Sequence, residues 1–124
     1  MADEADVLIV DDDPDVGRTV CAMLETLGLK PHCVSGAKEA REWLSSRTPR
    51  LIVADIMMPD ENGLDFLQWS RSKPELRSTA FIVLSGLSDE ETIQDALDLG
   101  AADYIKKPTS LETLRTKLRR FLSR

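Results

Sequence analysis

The sequence predicts an α/β fold, a three-layer doubly wound (βα)5 sandwich, and two observations carry that expectation. Short apolar runs alternate with longer stretches of helical period, which is the pattern of βα units wound on a parallel sheet. Several of the longer stretches also carry helix start and stop signals, so the units can be delimited.

Val7 to Val10, Leu51 to Ala54 and Phe81 to Leu84 are unbroken apolar runs, as expected of strands buried on both faces. His32 to Val34 and Tyr104 to Ile105 are shorter strand candidates. Asp13 followed by Pro14 suits an N-cap and first helical turn. After it Val16, Val20, Met23, Leu24 and Leu27 form one apolar stripe that Gly28 ends. Ala37 to Ser46 and Leu64 to Arg71 read as the next two helices, with Pro74 marking a break. Ser88 with Glu91, and Thr109 with Glu112, have capping-box spacing. They open helices whose inward faces are Ile93, Ala96 and Leu97, closed by Gly100, and then Leu111, Leu114, Leu118 and Phe121. Five strands and five helices use nearly all of the 124 residues, and no linker or repeat divides them, so a single domain over 1–124 is expected.

Hydrophobic residues make up 42% of the chain, enough for one core of ordinary proportions. Twenty-two acidic against sixteen basic side chains give a net charge of −6, which disfavours direct binding to nucleic acid or to anionic lipid. No run approaches the roughly 20 apolar residues of a membrane span. The start, MADEAD, is acidic where a signal peptide needs a basic segment, so a soluble cytoplasmic protein is expected. Cys21 and Cys33 have the spacing of neither a disulfide framework nor a zinc site and read as two reduced, structural thiols.

In a doubly wound sheet the ligand site lies beyond the carboxyl ends of the strands. The polar residues that directly follow the apolar runs are Asp11, Asp12 and Asp13, then Asp55, then Ser85, then Lys106 and Lys107. Carboxylates gathered at one end of a sheet repel one another, and a bound divalent cation keeps them ionised together. A small set of hard oxygen ligands points to Mg²⁺, with Mn²⁺ as a substitute. A hydroxyl and an ammonium beside such a metal complete a cradle for a phosphoryl group, with a carboxylate oxygen as nucleophile.

The segments VLIVDDDP at 7–14, LIVADIMMPDENGL at 51–64, VLSG at 83–86 and DYIKKP at 103–108 resemble, in order and spacing, the motifs of a known family. That family is the CheY-like receiver domain of two-component response regulators. The resemblance implies a flavodoxin-like strand order, 2-1-3-4-5. It implies that Asp55 accepts a phosphoryl group from the phosphohistidine of a sensor histidine kinase or phosphotransfer protein. Asp11, Asp12 and Asp55 would hold Mg²⁺, Asp12 directly and Asp11 partly through water, and Met57 would add its backbone carbonyl. Ser85 matches the switch hydroxyl, Lys107 the lysine that pairs with a phosphate oxygen, and Tyr104 the switch aromatic. Lys107 is preferred to Lys106 because it precedes Pro108, where the family often has a cis peptide. Strand alternation then leaves Lys106 for solvent or a partner. The output would be altered binding of a downstream protein at the face of the fourth helix, fifth strand and fifth helix, with a phosphorylation-dependent homodimer as one form. Such a domain is a regulatory phosphoacceptor that catalyses only its own phosphorylation and dephosphorylation.

The chain departs from the family pattern in places. Asn62 stands where aspartate is frequent, and Thr109 where an aromatic is usual. Met57 and Leu87 resemble positions flanking the path of hydrolytic water, and apolar side chains at both imply slow autodephosphorylation. His32 reads as a strand surface residue, Trp43 and Trp69 as helix-edge packing, and Arg115, Lys117, Arg119, Arg120 and Arg124 as a solvated helix face or, as a rival, a partner surface. Two other functions compete. VLIVDDDPD also resembles the haloacid-dehalogenase-like phosphatases, with Asp11 as nucleophile and Asp13 as acid/base, but that leaves Asp55 without a role. A receiver-like module that signals without phosphorylation would be expected to lack one or more site residues. The sequence leaves open the kinase, the stimulus, the target, and whether the chain stands alone or belongs to a longer protein.

Overall fold

Successive side chains of a strand point to opposite faces of a sheet, so an unbroken apolar run needs cover on both. The computed structural model supplies that cover. It describes residues 5–58, 61–86 and 90–122, with Leu122 described by its backbone alone. Strands β1 (Val7–Val10), β2 (Pro31–Val34), β3 (Leu51–Asp55), β4 (Ala80–Ser85) and β5 (Asp103–Lys106) alternate with five helices. These are α1 (Pro14–Thr26), α2 (Ala37–Leu44), α3 (Gly63–Arg71), α4 (Glu90–Asp98) and α5 (Leu111–Leu122), and a 3-10 turn at Pro74–Leu76 follows α3.

The strands form one parallel sheet in the order β2-β1-β3-β4-β5, as expected. Alternation splits each central strand between two cores. Leu8, Val10, Ile52, Ala54, Phe81 and Val83 pack with Ala40 and Leu44 of α2, Phe66 and Leu67 of α3, and Ala96 of α4. Val7, Ile9, Leu51, Val53, Ile82 and Leu84 pack on the other face with Val20 and Leu24 of α1 and Leu114 and Leu118 of α5. Layers of helix, sheet and helix result.

The helix ends follow local chemistry. Asp13 caps α1, its Oδ1 accepting the backbone N–H groups of Asp15 and Val16 at 2.9 and 3.5 Å. Past the ends of α1 and α4, Gly28 and Gly100 take positive φ, 88° and 115°, which a side chain would disfavour. The cap of α5 differs from the expected Thr109 and Glu112 box. Ser110 holds that position instead, its Oγ accepting the Thr113 N–H at 3.1 Å, while Leu114 N–H bonds the Ser110 carbonyl at 3.0 Å. The α4 box cannot be compared, because Ser88, like Leu87 and Arg124, lies outside the described residues. The strands at β3, β4 and β5 each run a residue or more beyond the expected bounds, and α2 ends at Leu44 rather than Ser46.

The expectation of two reduced thiols is overturned. Cys21 of α1 and Cys33 of β2 form a disulfide, with Cα atoms 7.2 Å apart. The connection from α1 to β2 folds the helix back along the edge strand, so residues 12 apart in sequence meet in space. Such a pairing has no spacing signature. His32 is exposed at the same edge and stacks on Trp43, ring centroids 5.0 Å apart, and Trp43 and Trp69 are both half-buried at helix edges.

Candidate functional site

Strand register decides which side chains meet beyond the sheet. Val10 pairs with Ala54, Asp55 with Leu84, and Ser85 with Lys106. Asp11 and Asp55 therefore emerge side by side from the two central strands, with Ser85 and Lys107 on the next two. Asp11 and Asp55 are only 3% and 5% exposed, whereas Asp12, one residue on, faces solvent. One carboxylate oxygen from each of Asp11, Asp12 and Asp55 lies within 4.8 Å of the others.

The buried pair is bridged by one cation. Lys107 Nζ is 2.8 Å from Asp55 Oδ2, as a hydrogen bond, and 2.8 Å from Asp11 Oδ2, as an ion pair without hydrogen-bond alignment. The Lys107 backbone is itself tied to β4, its N–H donating to the Ser85 carbonyl at 2.8 Å. The peptide between Lys107 and Pro108 is cis, as the resemblance implied. Lys106 points to solvent on the opposite side, in keeping with strand alternation.

The remaining carboxylate oxygens hold nearby backbone. Asp11 Oδ1 accepts the Asp13 N–H at 2.9 Å, and Asp55 Oδ1 accepts the Met57 N–H at 3.0 Å. The β3–α3 loop doubles back, with Met57 bridged to Asn62 in antiparallel fashion and Gly63 N–H bonded to the Ile56 carbonyl at 2.8 Å. Gly63 is required there, since a Cβ would lie 2.5 Å from Ile56 Cα and 2.7 Å from the Asp55 carbonyl. Asn62 caps α3 through its Oδ1, 2.8 Å from the Leu64 N. Met57 is the exposed large hydrophobic among the described residues, at 61%.

The electrostatics follow from this packing. Burial pushes the Asp55 carboxyl above its ordinary value. The Lys107 hydrogen bond, the Met57 N–H and the Lys107 charge pull it back only in part, and Asp11 adds to the rise. Burial alone would lower Lys107, but the close contacts and charges of Asp11 and Asp55 outweigh it and hold the ammonium above its usual range. Three carboxylates against one ammonium leave an excess of two negative charges. The buried Asp11 Oδ2 accepts no aligned hydrogen bond. Three clustered carboxylates whose charge a single ammonium does not balance fit a hard divalent cation such as Mg²⁺.

The register and spacing thus bring Asp11, Asp12, Asp55 and Lys107 together, with the buried Ser85 at the end of the adjoining strand. Tyr104 is not among them. It is half-buried on β5, packs against the core on the α2, α3 and α4 side, and carries Lys117 Nζ 4.6 Å from its ring centroid. Lys117 also bonds Asp103 at 3.1 Å, so part of the expected basic face of α5 is paired within the chain.

The chain matches the family model of the response regulator receiver domain over residues 7–119. It belongs to that family. The receiver is 35% identical over 118 residues to the transcriptional regulatory protein CrdR of Helicobacter pylori, covering 94% of this chain and 54% of that protein. It is 31% identical over 119 residues to the probable chemotaxis protein CheY of Rhizobium etli, covering 95% and 92%. Among solved structures, the receiver domain of a signal transduction histidine kinase from Syntrophus aciditrophicus superposes with a TM-score of 0.85 at 33% identity, covering 95% of this chain and 89% of that one. The chemotaxis regulator CheY4 of Vibrio cholerae gives 0.88 at 27% identity, covering 96% and 99%. The chain spans about half the length of the transcriptional regulators it matches, 54% of CrdR and 49% of GltR of Pseudomonas aeruginosa.

Receiver domains are regulatory modules of two-component signalling, and the acidic cluster of this receiver lies at the family's phosphorylation site. Among the described residues no helix is long and apolar enough to cross a membrane. Sequence reasoning anticipated that Lys107 would approach Asp55 but not that it would also form an ion pair with Asp11. It also missed Arg41 of α2, whose guanidinium bonds Glu61 in the β3–α3 loop. No local motif announces a contact across 20 residues between separate elements.

Proposed function

We propose that Asp55 accepts a phosphoryl group from the phosphohistidine of a sensor histidine kinase or phosphotransfer protein, and that the transfer depends on Mg²⁺ held by Asp11, Asp12, Asp55 and the Met57 carbonyl. The observation that carries this reading is the Lys107 ammonium held 2.8 Å from both buried carboxylates, at the centre of a site with excess negative charge. A Asp55 oxygen forms a bond to phosphorus as the bond from phosphorus to the donor imidazole nitrogen breaks, and the departing imidazole takes up a proton from water. Bound metal would supply the positive charge that lets the carboxylates and the phosphoryl oxygens approach. Lys107 exchanges Asp55 Oδ2 for a phosphoryl oxygen, remaining charged throughout.

The new charge on Asp55 attracts the Ser85 hydroxyl from the end of β4, and Tyr104, paired with Val83 on the same strand, follows it inward. The face of α4, β5 and α5 then changes its affinity for a downstream protein or for a second copy of the chain. The domain acts in the cytoplasm, on itself alone. Met57, exposed beside the site, slows the entry of hydrolytic water and lengthens the phosphorylated state.

The phosphatase reading gains no support. Asp13, which would serve as its acid/base, is occupied as the α1 cap, its Oδ1 accepting the Asp15 and Val16 N–H groups. Incubation with Mg²⁺ and acetyl phosphate followed by intact-mass measurement tests the proposal. A single phosphoryl adduct is expected on the wild type and none on Asp55→Asn. An unmodified wild type under both this donor and a phosphorylated kinase would overturn it.

A further inference from the structure

The β3–α3 loop carries the Met57 carbonyl assigned above to the metal, and its return arm is anchored from outside the site. Arg41 of α2 donates through both terminal nitrogens to the two oxygens of Glu61. Glu61 is 17% exposed and Arg41 35%, so the pair is screened less than a surface ion pair. The guanidinium also lies over the Trp69 ring of α3, 5.3 Å from its centroid, and its Nε is buried without a hydrogen-bond partner. One planar group therefore joins α2, the loop and α3. A bidentate fork resting on an aromatic face fixes orientation as well as distance, which a lysine could not do.

That grip is transmitted to the site over a short path. Glu61 precedes Asn62, Asn62 is bridged to Met57, and Met57 N–H bonds the Asp55 carboxylate at 3.0 Å. Gly63 N–H closes the two arms on the Ile56 carbonyl. We infer that Arg41 is a positioning residue for the metal site: through Glu61 it holds the β3–α3 loop so that the Met57 carbonyl and the Asp55 carboxylate face one cation. This rests on the proposed metal site and adds a residue that would touch neither metal nor phosphoryl group.

Charge makes the inference testable by sign. Arg41 is a cation near a cation site, so if it acted only as a charge, its removal would tighten Mg²⁺ binding. If it positions the loop, removal weakens binding, by roughly tenfold as for other residues that orient metal ligands. Calorimetric titration of wild type, Arg41→Met and Arg41→Lys with Mg²⁺ reads this directly. The Met variant is expected to bind roughly tenfold more weakly and the Lys variant, which keeps the charge but loses the fork, to fall between. In the metal-free proteins, amide hydrogen exchange at Met57 and Gly63 should quicken in the same order. Phosphorylation by acetyl phosphate should need more Mg²⁺ for half-maximal rate while its rate at saturating Mg²⁺ changes little. Should Arg41→Met fail to fold, the Lys variant carries the same comparison. Wild-type affinity retained or exceeded in the variants overturns the inference alone. A wild type that binds no Mg²⁺ overturns the metal site and the inference with it.

Discussion

Val10 and Ala54 face each other across β1 and β3, fully buried among apolar neighbours; one residue further along the same strands, Asp11 and Asp55 are almost as deeply buried and carry like charge. The first pair is stabilised by removal from water. The second is destabilised by it, and the charge of Lys107, with the Asp13 and Met57 N–H groups, offsets the repulsion only in part. The sheet therefore holds its carboxyl end in a state that a divalent cation relieves. Truncating a side chain of the apolar part should lower stability, whereas neutralising a carboxylate beyond it should raise stability.

The largest effect is expected in the core. Phe66 is fully buried against Phe81 and Trp69, and Phe66→Ala should lower the unfolding free energy by about 3–5 kcal/mol in a denaturant titration. The sheet edge comes next. The Cys21–Cys33 bond closes a short loop, so its reduction should lower stability by up to about 3 kcal/mol, read as a lower melting temperature under a thiol reductant that Cys33→Ser abolishes.

Lys107→Met leaves two buried carboxylates with no counter-ion and should destabilise the metal-free protein by about 2 kcal/mol, an effect that Mg²⁺ reduces. The pH dependence has a definite sign. Lys107 is held above its unfolded value, so its contribution is complete below the ordinary lysine range and is lost as pH rises through the folded value. The alkaline loss of stability should be smaller in Lys107→Met. The smallest shift, and the only stabilising one, is expected of Asp55→Asn. Folding raises the Asp55 pKa, so at neutral pH the ionised carboxyl opposes folding, and its amide should be the more stable of the two in a denaturant titration. That advantage should shrink as pH falls through the folded value and the wild-type carboxyl takes up its proton.

The same boundary explains what the sequence disclosed. β1, β3 and β4 are covered on both faces, so burial wrote itself as continuous apolar runs, and the residues closing those runs had to lie at one end of the sheet. Asp11, Asp55 and Ser85 were found in that way, whereas Lys107 follows the short β5 candidate and was preferred to Lys106 through the family resemblance. β2 is an edge strand whose Pro31 to Val34 segment is half exposed, and its pairing with α1 through Cys33 left no trace in spacing. Thr109 and Ser110 can each cap a helix, and only the backbone geometry selects Ser110. Arg41 and Glu61 were opaque for the same reason as the cysteines, since each is an ordinary surface type until the fold brings it against its partner.

The most direct test of the account locates the phosphoryl group. After reaction with Mg²⁺ and acetyl phosphate, borohydride reduction converts an aspartyl phosphate to homoserine, and peptide mass spectrometry finds the position. Homoserine at Asp55, absent when Mg²⁺ is chelated, is the predicted result. Homoserine at Asp11, or at no aspartate of the wild type, would contradict it.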